Sequence, residues 1–257
     1  MLTRHPDIEN NLNLAFEPVR NEEPRMFSRE QIAQYNEQGF IEPVQIFKGD
    51  ELEELQRFFA EQADEVTHKS GPFESYHQVH AGLFRIISHP RTTAFLQDIL
   101  GPNVVCHVSQ FINKPPGQEK GKGGSHHQDA TYNAMDARCA IVWLAIEDAE
   151  VENGCMWFIP GTHKLGVVEC TENHFVVESL QYGEEIPCEV KAGHAVFMSD
   201  LLMHSSPPNR SKERHRPGLT ATYAPAEVKP YKNTNRSAIL CSGEDAAKNW
   251  NVHPVPR

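Results

Sequence analysis

One short stretch, Gly124-Ser125-His126-His127-Gln128-Asp129-Ala130-Thr131, sets an imidazole and a carboxylate two residues apart. Alternate side chains of an extended chain share a face. His127 and Asp129 are therefore expected to project together, with Gln128 opposite. That pair leaves a metal site one ligand short. Two histidines and one carboxylate on one face of a metal, with the other positions open, form the ligand pattern of non-haem Fe(II) oxygenases. The third ligand is sought downstream. His204 follows the apolar run Ala195-Val196-Phe197-Met198 and precedes Ser205, Ser206 and a Pro-Pro-Asn loop. A lone histidine there is more often a surface residue, but beside a His-x-Asp and a downstream arginine the ligand reading gains weight.

The arginine matters because a 2-oxo acid chelating iron leaves a far carboxylate in need of a cation. A planar guanidinium suits it bidentately. Arg216 opens the apolar run Leu219-Thr220-Ala221-Thr222-Tyr223. Arg214 is the rival, but it sits in the Ser211-Lys212-Glu213 charge cluster, which reads as exposed loop.

The elements that must position these residues divide the chain of 257 residues into four stretches. Residues 1–27 read as an extended arm, 28–103 as mainly helical support, 104–224 as a β core, and 225–257 as a polar C-terminal tail packed outside. Ser28 caps a helix to about Gln38, which Gly39 closes. A strand ends in Val44-Gln45-Ile46-Phe47, Asp50 caps a second helix, 66–82 is irregular, and Thr92–Leu100 is a third helix before Gly101-Pro102. Short β-rich runs follow at 104–113, 126–131, 138–148, 155–159, 166–169, 174–180, 186–190, 194–198 and 217–224. Short strands between turn signals predict a sandwich or barrel, and a metal-binding jelly roll fits.

The net charge of -11 disfavours nucleic acid and anionic membranes as partners. No apolar run approaches the ~20 residues of a membrane span. The start, Met1-Leu2-Thr3-Arg4, lacks an apolar signal core and the end is not a peroxisomal tripeptide, so a cytoplasmic location is expected. The six cysteines, Cys106, Cys139, Cys155, Cys170, Cys188 and Cys241, form no C-x-x-C pair and are expected as free thiols.

An ordered set of motifs now accumulates: Tyr35-Asn36-Glu37-Gln38-Gly39-Phe40, Ile112-Asn113-Lys114-Pro115-Pro116, His127-Gln128-Asp129, Val142-Trp143-Leu144-Ala145-Ile146-Glu147-Asp148, Glu152-Asn153-Gly154-Cys155 through Pro160-Gly161-Thr162-His163, and His204-Ser205-Ser206 leading to Arg216. From about Phe27 to Pro225 the chain resembles the phytanoyl-CoA dioxygenase family of Fe(II)/2-oxoglutarate oxygenases. The resemblance implies a mainly β fold with flanking α-helices, a double-stranded β-helix of the jelly-roll, cupin-like kind. It implies iron held by His127, Asp129 and His204, and 2-oxoglutarate contacts from Arg216, Ser206, Trp143 and Gln110. It further implies O2 as oxidant, ascorbate as an optional reductant, and hydroxylation of a small-molecule, even anionic, substrate with release of succinate and CO2. Related halogenases need a small residue at the carboxylate position, so Asp129 favours hydroxylation. Family members often carry Met or another residue at the Gln110 position. Some use an upstream Lys where this chain has His77, Gln78 and His80. The His204–Arg216 spacing is one residue longer than expected, which puts His215 in the unshifted place.

The remaining histidines read as structural: His126 as packing or support for the ligands, His163 as fixing its turn, and His174 and His194 as framework. Thr131, Tyr132 and Asn133 divide evenly between pocket wall and polar strand end. The run Lys114–Gly124, with Lys114, Lys120 and Lys122, is either a solvated loop or a lid touching an anionic substrate. Two rival functions stay open. A non-catalytic or isomerase-type metal-binding cupin would need no carboxylate clamp. A zinc hydrolase would need a general base near the metal water, and no H-E-x-x-H is present. Composition leaves the oligomeric state undefined.

Overall fold

The computed structural model describes residues 15–69, 75–118, 125–132, 135, 139–230 and 236–256. The helices are α1 (Arg29–Gln38), α2 (Asp50–Lys69), α3 (Ala81–Ile87) and α4 (Pro90–Leu100). The strands are β1 (Phe40–Gln45), β2 (Val104–Lys114), β3 (Ala140–Ala145), β4 (Met156–Phe158), β5 (Ile186–Cys188), β6 (His194–Ser199), β7 (His204–Ser205), β8 (Arg216–Pro225), β9 (Ser237–Ser242) and β10 (Asn251–Val252). They form a larger sheet of order β1-β6-β3-β8-β2-β9-β10 and a smaller one of order β5-β4-β7.

The two sheets close on each other as the jelly roll expected from sequence. Ile141 and Trp143 of β3 and Val196 and Met198 of β6 pack against Met156 and Phe158 of β4 and Cys188 of β5. Strand alternation sends the intervening residues the other way. Val142, Leu144, Phe197, Leu219, Ala221 and Tyr223 join a second core with Ile32, Leu55, Leu83 and Leu96 from the four helices. Arg216, Gly218 and Thr220 of β8 therefore face the barrel interior. Gln110, Ile112 and Lys114 of β2 lie directly opposite Thr220, Gly218 and Arg216, and Trp143 lies opposite Thr220 on the other side. Opposed residues share a face, so one interior row carries Gln110 and Trp143 and another Lys114 and Arg216.

The helical layer is fastened by polar contacts to backbone. Ser28 and Gln31 form a capping box on α1, and Gly39 closes it at φ 89°. The described part of the arm, residues 15–27, is tied down: the Asp98 carboxylate accepts from the backbone N–H of Arg25 (2.9 Å), Met26 (2.7 Å) and Phe27 (2.9 Å). His163 donates from Nε2 to Asn36 O at 3.1 Å, so it locks the Pro-Gly-Thr-His turn to α1 as well as fixing the turn itself. A Cβ on Gly39 would lie 2.6 Å from His163 Nδ1.

Four expectations are corrected. Residues 66–82 are not irregular throughout: α2 runs to Lys69 and α3 begins at Ala81, capped by His80, whose Nδ1 accepts from Gly82 N at 3.1 Å. Residues 166–169 and 174–180 form no strand; they hold an isolated bridge at Phe175 and a 3-10 turn over Ser179–Tyr182. Residues 126–131 are bridged only at His127, and Asp129–Thr131 is a 3-10 turn, held by Thr131 Oγ1 donating to Gln128 O at 2.7 Å. Residues 225–257 are more than an outer tail, because β9 pairs with β2 and buries Ala238 and Ile239. All six cysteines are free thiols.

Burial pushes His77 and His163 down to about 4. Between that value and the ~6.5 of an unfolded histidine, the unfolded chain binds more protons, so acidification over this window removes stability. Thermal unfolding is expected to fall steeply from pH 6.5 to 4.5, and His163→Gln is expected to flatten the fall. An unchanged slope in that variant would contradict the assignment.

Candidate active site

The backbones of His127 and His204 exchange both hydrogen bonds, His127 N to His204 O and His204 N to His127 O, each at 3.0 Å. This is the hydrogen-bonded type of antiparallel pair, and it sends both side chains to one side, with ring centroids 4.3 Å apart. Asp129 joins them from the first position of its 3-10 turn. The turn is held because Ala130 N donates to Asp200 O at 2.9 Å. Asp129 Oδ1 lies 3.3 Å from His127 Nε2 and 3.7 Å from His204 Nε2. One ligand atom from each of the three residues lies within 4.8 Å of the others.

The tautomers suit a metal. His204 Nδ1 donates to Leu202 O at 2.9 Å and His127 Nδ1 to Ser125 O at 3.4 Å. Each Nε2 lone pair therefore points inward. Burial pushes His204 down to about 4, which keeps it a neutral ligand at pH 7. Burial also disfavours the Asp129 carboxylate, but His204 and His127 outweigh it and its pKa is lowered. The donor set fits Fe(II): two imidazoles and one carboxylate on one side.

The second feature lies beyond β7. Arg216 is 1% exposed, and its guanidinium carbon sits 5.2 Å from the Trp143 ring centroid. Its Nη2 donates to Ser206 Oγ at 3.3 Å. Its Nε and Nη1 are buried without a partner among the described residues. Burial pulls Arg216 down to about 10, so it stays charged at neutral pH. A buried cation with two unpaired donors is costly unless an anion meets it. Gln110 is half-buried on the same interior face. Arg214, the rival, is exposed and paired with Glu150 (2.6 Å) and Glu152 (2.9 Å), and His215 is exposed too.

The other candidates separate cleanly. Gln128 is fully buried and points away from the ligands; its amide donates to Gly166 O (2.8 Å) and Leu201 O (2.7 Å) and accepts from Val168 N (2.9 Å). His126 is bound to Ser179 Oγ at 2.8 Å and faces Glu185 at 3.1 Å, a supporting rather than ligating place. His194 makes a local contact from Nδ1 to Ala192 O at 3.2 Å. Thr131 is buried in its turn, whereas Tyr132 is 48% exposed and stands between His127 (centroids 6.0 Å) and His174 (4.2 Å). Asn133, Lys120 and Lys122 lie outside the described residues, so the lid expectation reduces to Lys114, which points into the barrel and not into a lid.

Lys114 was read only as part of a loop or lid, and Gly218 and Asp200, also near the site, went unread in the sequence. Strand parity held the signal for the first two, since Lys114 shares a face with Gln110, and Gly218 with Arg216. Asp200 is buried, and its desolvation together with the nearby Asp129 charge pushes it up to about 8. A Cβ on Gly218 would lie 2.5 Å from Trp143 Cζ2 and 3.0 Å from Arg216 Nη1. Gly218→Ala is therefore expected to lower the unfolding free energy by about 1–3 kcal/mol, as overpacking does, and to shift tryptophan fluorescence. Wild-type urea unfolding in that variant would show that the cleft is looser than described.

Known proteins resemble this chain in sequence and in fold. The family model for phytanoyl-CoA dioxygenase (PhyH) matches residues 22–217. Phytanoyl-CoA dioxygenase domain-containing protein 1 of Bos taurus is 31% identical over 219 residues, 76% of this chain and 72% of its own length. Its namesake from Danio rerio is 34% identical over 151 residues, 52% of this chain and 51% of its own length, so the match spans about half of that relative. Among solved structures, CytC3 with Fe(II) and alpha-ketoglutarate superposes at TM-score 0.67, with 24% identity, over 90% of this chain and 97% of that one. The epimerase SnoN, in complex with Fe3+, alpha ketoglutarate and nogalamycin RO, superposes at 0.66, with 19% identity, over 78% and 84%. At these identities the structures speak for the fold, and the family match speaks for descent: the chain belongs to the phytanoyl-CoA dioxygenase family of Fe(II)/2-oxoglutarate-dependent oxygenases.

Proposed function

We propose that this protein is a 2-oxoglutarate-dependent hydroxylase that acts on a C–H bond of a small molecule. One observation carries the reading: two residues along the chain from a convergent His-Asp-His set, Ser206 meets a buried guanidinium with two unpaired nitrogens. A metal-binding cupin of the isomerase or binding type needs the first feature and has no use for the second.

His127 Nε2, the Asp129 carboxylate and His204 Nε2 would hold Fe(II). Arg216 and Ser206 would receive the far carboxylate of 2-oxoglutarate, with Trp143 flanking the guanidinium and Gln110 on the same interior face. Two extended residues span about 7 Å, which matches the reach of a five-carbon dicarboxylate from a metal beside His204 to the Ser206 hydroxyl. When bound, Fe(II) supplies the activation of O2 that converts 2-oxoglutarate to succinate and CO2 and hydroxylates the substrate, with ascorbate serving to keep the metal ferrous.

The chain's own residues do the rest. Leu202 O and Ser125 O fix the imidazoles in the ligating tautomer. Burial of Arg216 keeps water from competing for the carboxylate and strengthens the pairing. Tyr132 presents its ring beside His127 and packs on His174, where a substrate approaching the metal would pass. An epimerase stands on the same fold, and a carboxylate ligand does not separate the two reactions; Asp129 speaks only against halogenation, which needs a small residue at that position. A small-molecule substrate accords with the net charge of -11, which disfavours nucleic acid. Among the described residues, no helix is long and apolar enough to cross a membrane.

Succinate formation from 2-oxoglutarate, with Fe(II) and ascorbate under air, tests the reading without the prime substrate. Slow, metal-dependent succinate release is expected in the wild type and background levels in His204→Ala. Arg216→Met is expected to raise the KM for 2-oxoglutarate by at least about tenfold, as lost charge-assisted hydrogen bonds do. Metal uptake with neither succinate nor 2-oxoglutarate binding would move the protein to the metal-binding cupin reading.

A further inference from the structure

Lys114 closes β2 directly opposite Arg216, and nothing in the family resemblance gave it a task. Its Nζ is enclosed by four oxygens: Ser206 O at 2.8 Å, Gly154 O at 3.4 Å, Pro207 O, and the Ser206 hydroxyl at short range. All four belong to the Asn153-Gly154 turn and the segment leaving β7. The backbone of the same residue is held as well, since Asn209 Nδ2 donates to Lys114 O at 2.9 Å. Gly154 sits so close to the segment that a Cβ there would lie 2.4 Å from Pro207 O.

The Ser206 hydroxyl is thus the meeting point of two cations. It accepts from Lys114 Nζ and from Arg216 Nη2, and donates to Gly154 O at 3.2 Å. A hydroxyl has two lone pairs and one proton. With both lone pairs taken by cationic donors, only the proton is left to offer. We infer that Lys114 is a positioning residue for the co-substrate's far carboxylate: together with Arg216 it makes Ser206 an obligate hydrogen-bond donor and fixes where that donor points. In the loaded site the Ser206 proton turns from Gly154 O to the carboxylate, beside the open Nε and Nη1 of Arg216. The inference rests on the reading of this cleft as the 2-oxoglutarate site.

Electrostatics agree with the geometry. Burial, and then repulsion from Arg216, push Lys114 down to about 7; the Cys155 thiol, the other titratable group facing it, is pushed up to about 11 and is neutral. Lys114 is therefore only partly protonated in the empty site at neutral pH, and an incoming dianion favours its charged form beside Arg216 where a neutral ligand does not.

The test is calorimetric titration of the Ni(II)-loaded protein with 2-oxoglutarate and, separately, with oxalate, which chelates a metal and has nothing to offer Ser206. Wild type, Lys114→Met, Ser206→Ala and the double variant are compared. Lys114→Met is expected to weaken 2-oxoglutarate about tenfold, in the range for a hydrogen bond to a charged group, and to leave oxalate unchanged. Because Lys114 acts through Ser206, the double variant is expected to match Ser206→Ala within about twofold, the sign of coupled residues. Lys114→Gln, which keeps a neutral donor for the carbonyls, guards against a misfolded Met variant and is expected to show the same selective loss. Additive effects, equal weakening of oxalate, or wild-type affinity in both Lys114 variants would overturn the inference. A wild type that binds oxalate but not 2-oxoglutarate would instead overturn the reading of the cleft.

Discussion

Two backbone hydrogen bonds, exchanged between His127 and His204 at 3.0 Å each, set the geometry on which the rest of the site depends. They join a loop-borne residue to the short strand β7 and place two imidazoles on one side. From that pair the other parts follow by chain connectivity. Asp129 comes two residues later, turned inward by its 3-10 turn. Ser206 comes two residues after His204, and so meets the cations of β2 and β8. A slip of one residue in this pairing would reverse a side chain and separate the His-Asp-His cluster from the cationic end of the cleft.

The cationic end is the costly part of the design. Lys114 and Arg216 stand on neighbouring strands, opposite each other, in a largely buried cleft. Arg216 is supported by the Trp143 face and one hydroxyl, which leaves two donors open. Such an arrangement spends stability on a ligand, since hydrophobic residues of equal volume would avoid the desolvation of two charges. The surrounding packing accommodates it: Gly218 leaves room for both the indole and the guanidinium, and Gly154 admits the Pro207 carbonyl.

What the sequence could show follows from how local each constraint is. The convergence of His127, Asp129 and His204 was legible because residue type and spacing are nearly all that such a cluster requires. Helix α1 was legible because its Ser28–Gln31 box and Gly39 are local chemistry. Helix α3 was not, because its cap is His80, outside the usual Ser, Thr, Asp and Asn set. Residues 166–169 have strand-like composition, yet the Gln128 amide meets Gly166 O and Val168 N there in place of a neighbouring strand. Strand β9 pairs with β2 across more than half the chain, and no local pattern announces so distant a partner. Lys114 was hidden by the Pro115-Pro116-Gly117 that follows it, which made the end of a strand read as the start of a loop.

The central claim is that one site holds a metal and 2-oxoglutarate together, the metal on His127, Asp129 and His204 and the far carboxylate on Arg216. Anaerobic titration of Fe(II) and 2-oxoglutarate, followed by visible absorption, tests it directly. A charge-transfer band should appear only with both present, saturate at one equivalent of each per chain, vanish in His204→Ala, and need far more 2-oxoglutarate in Arg216→Met. No band in the iron-loaded wild type, or a band indifferent to Arg216, would contradict the account.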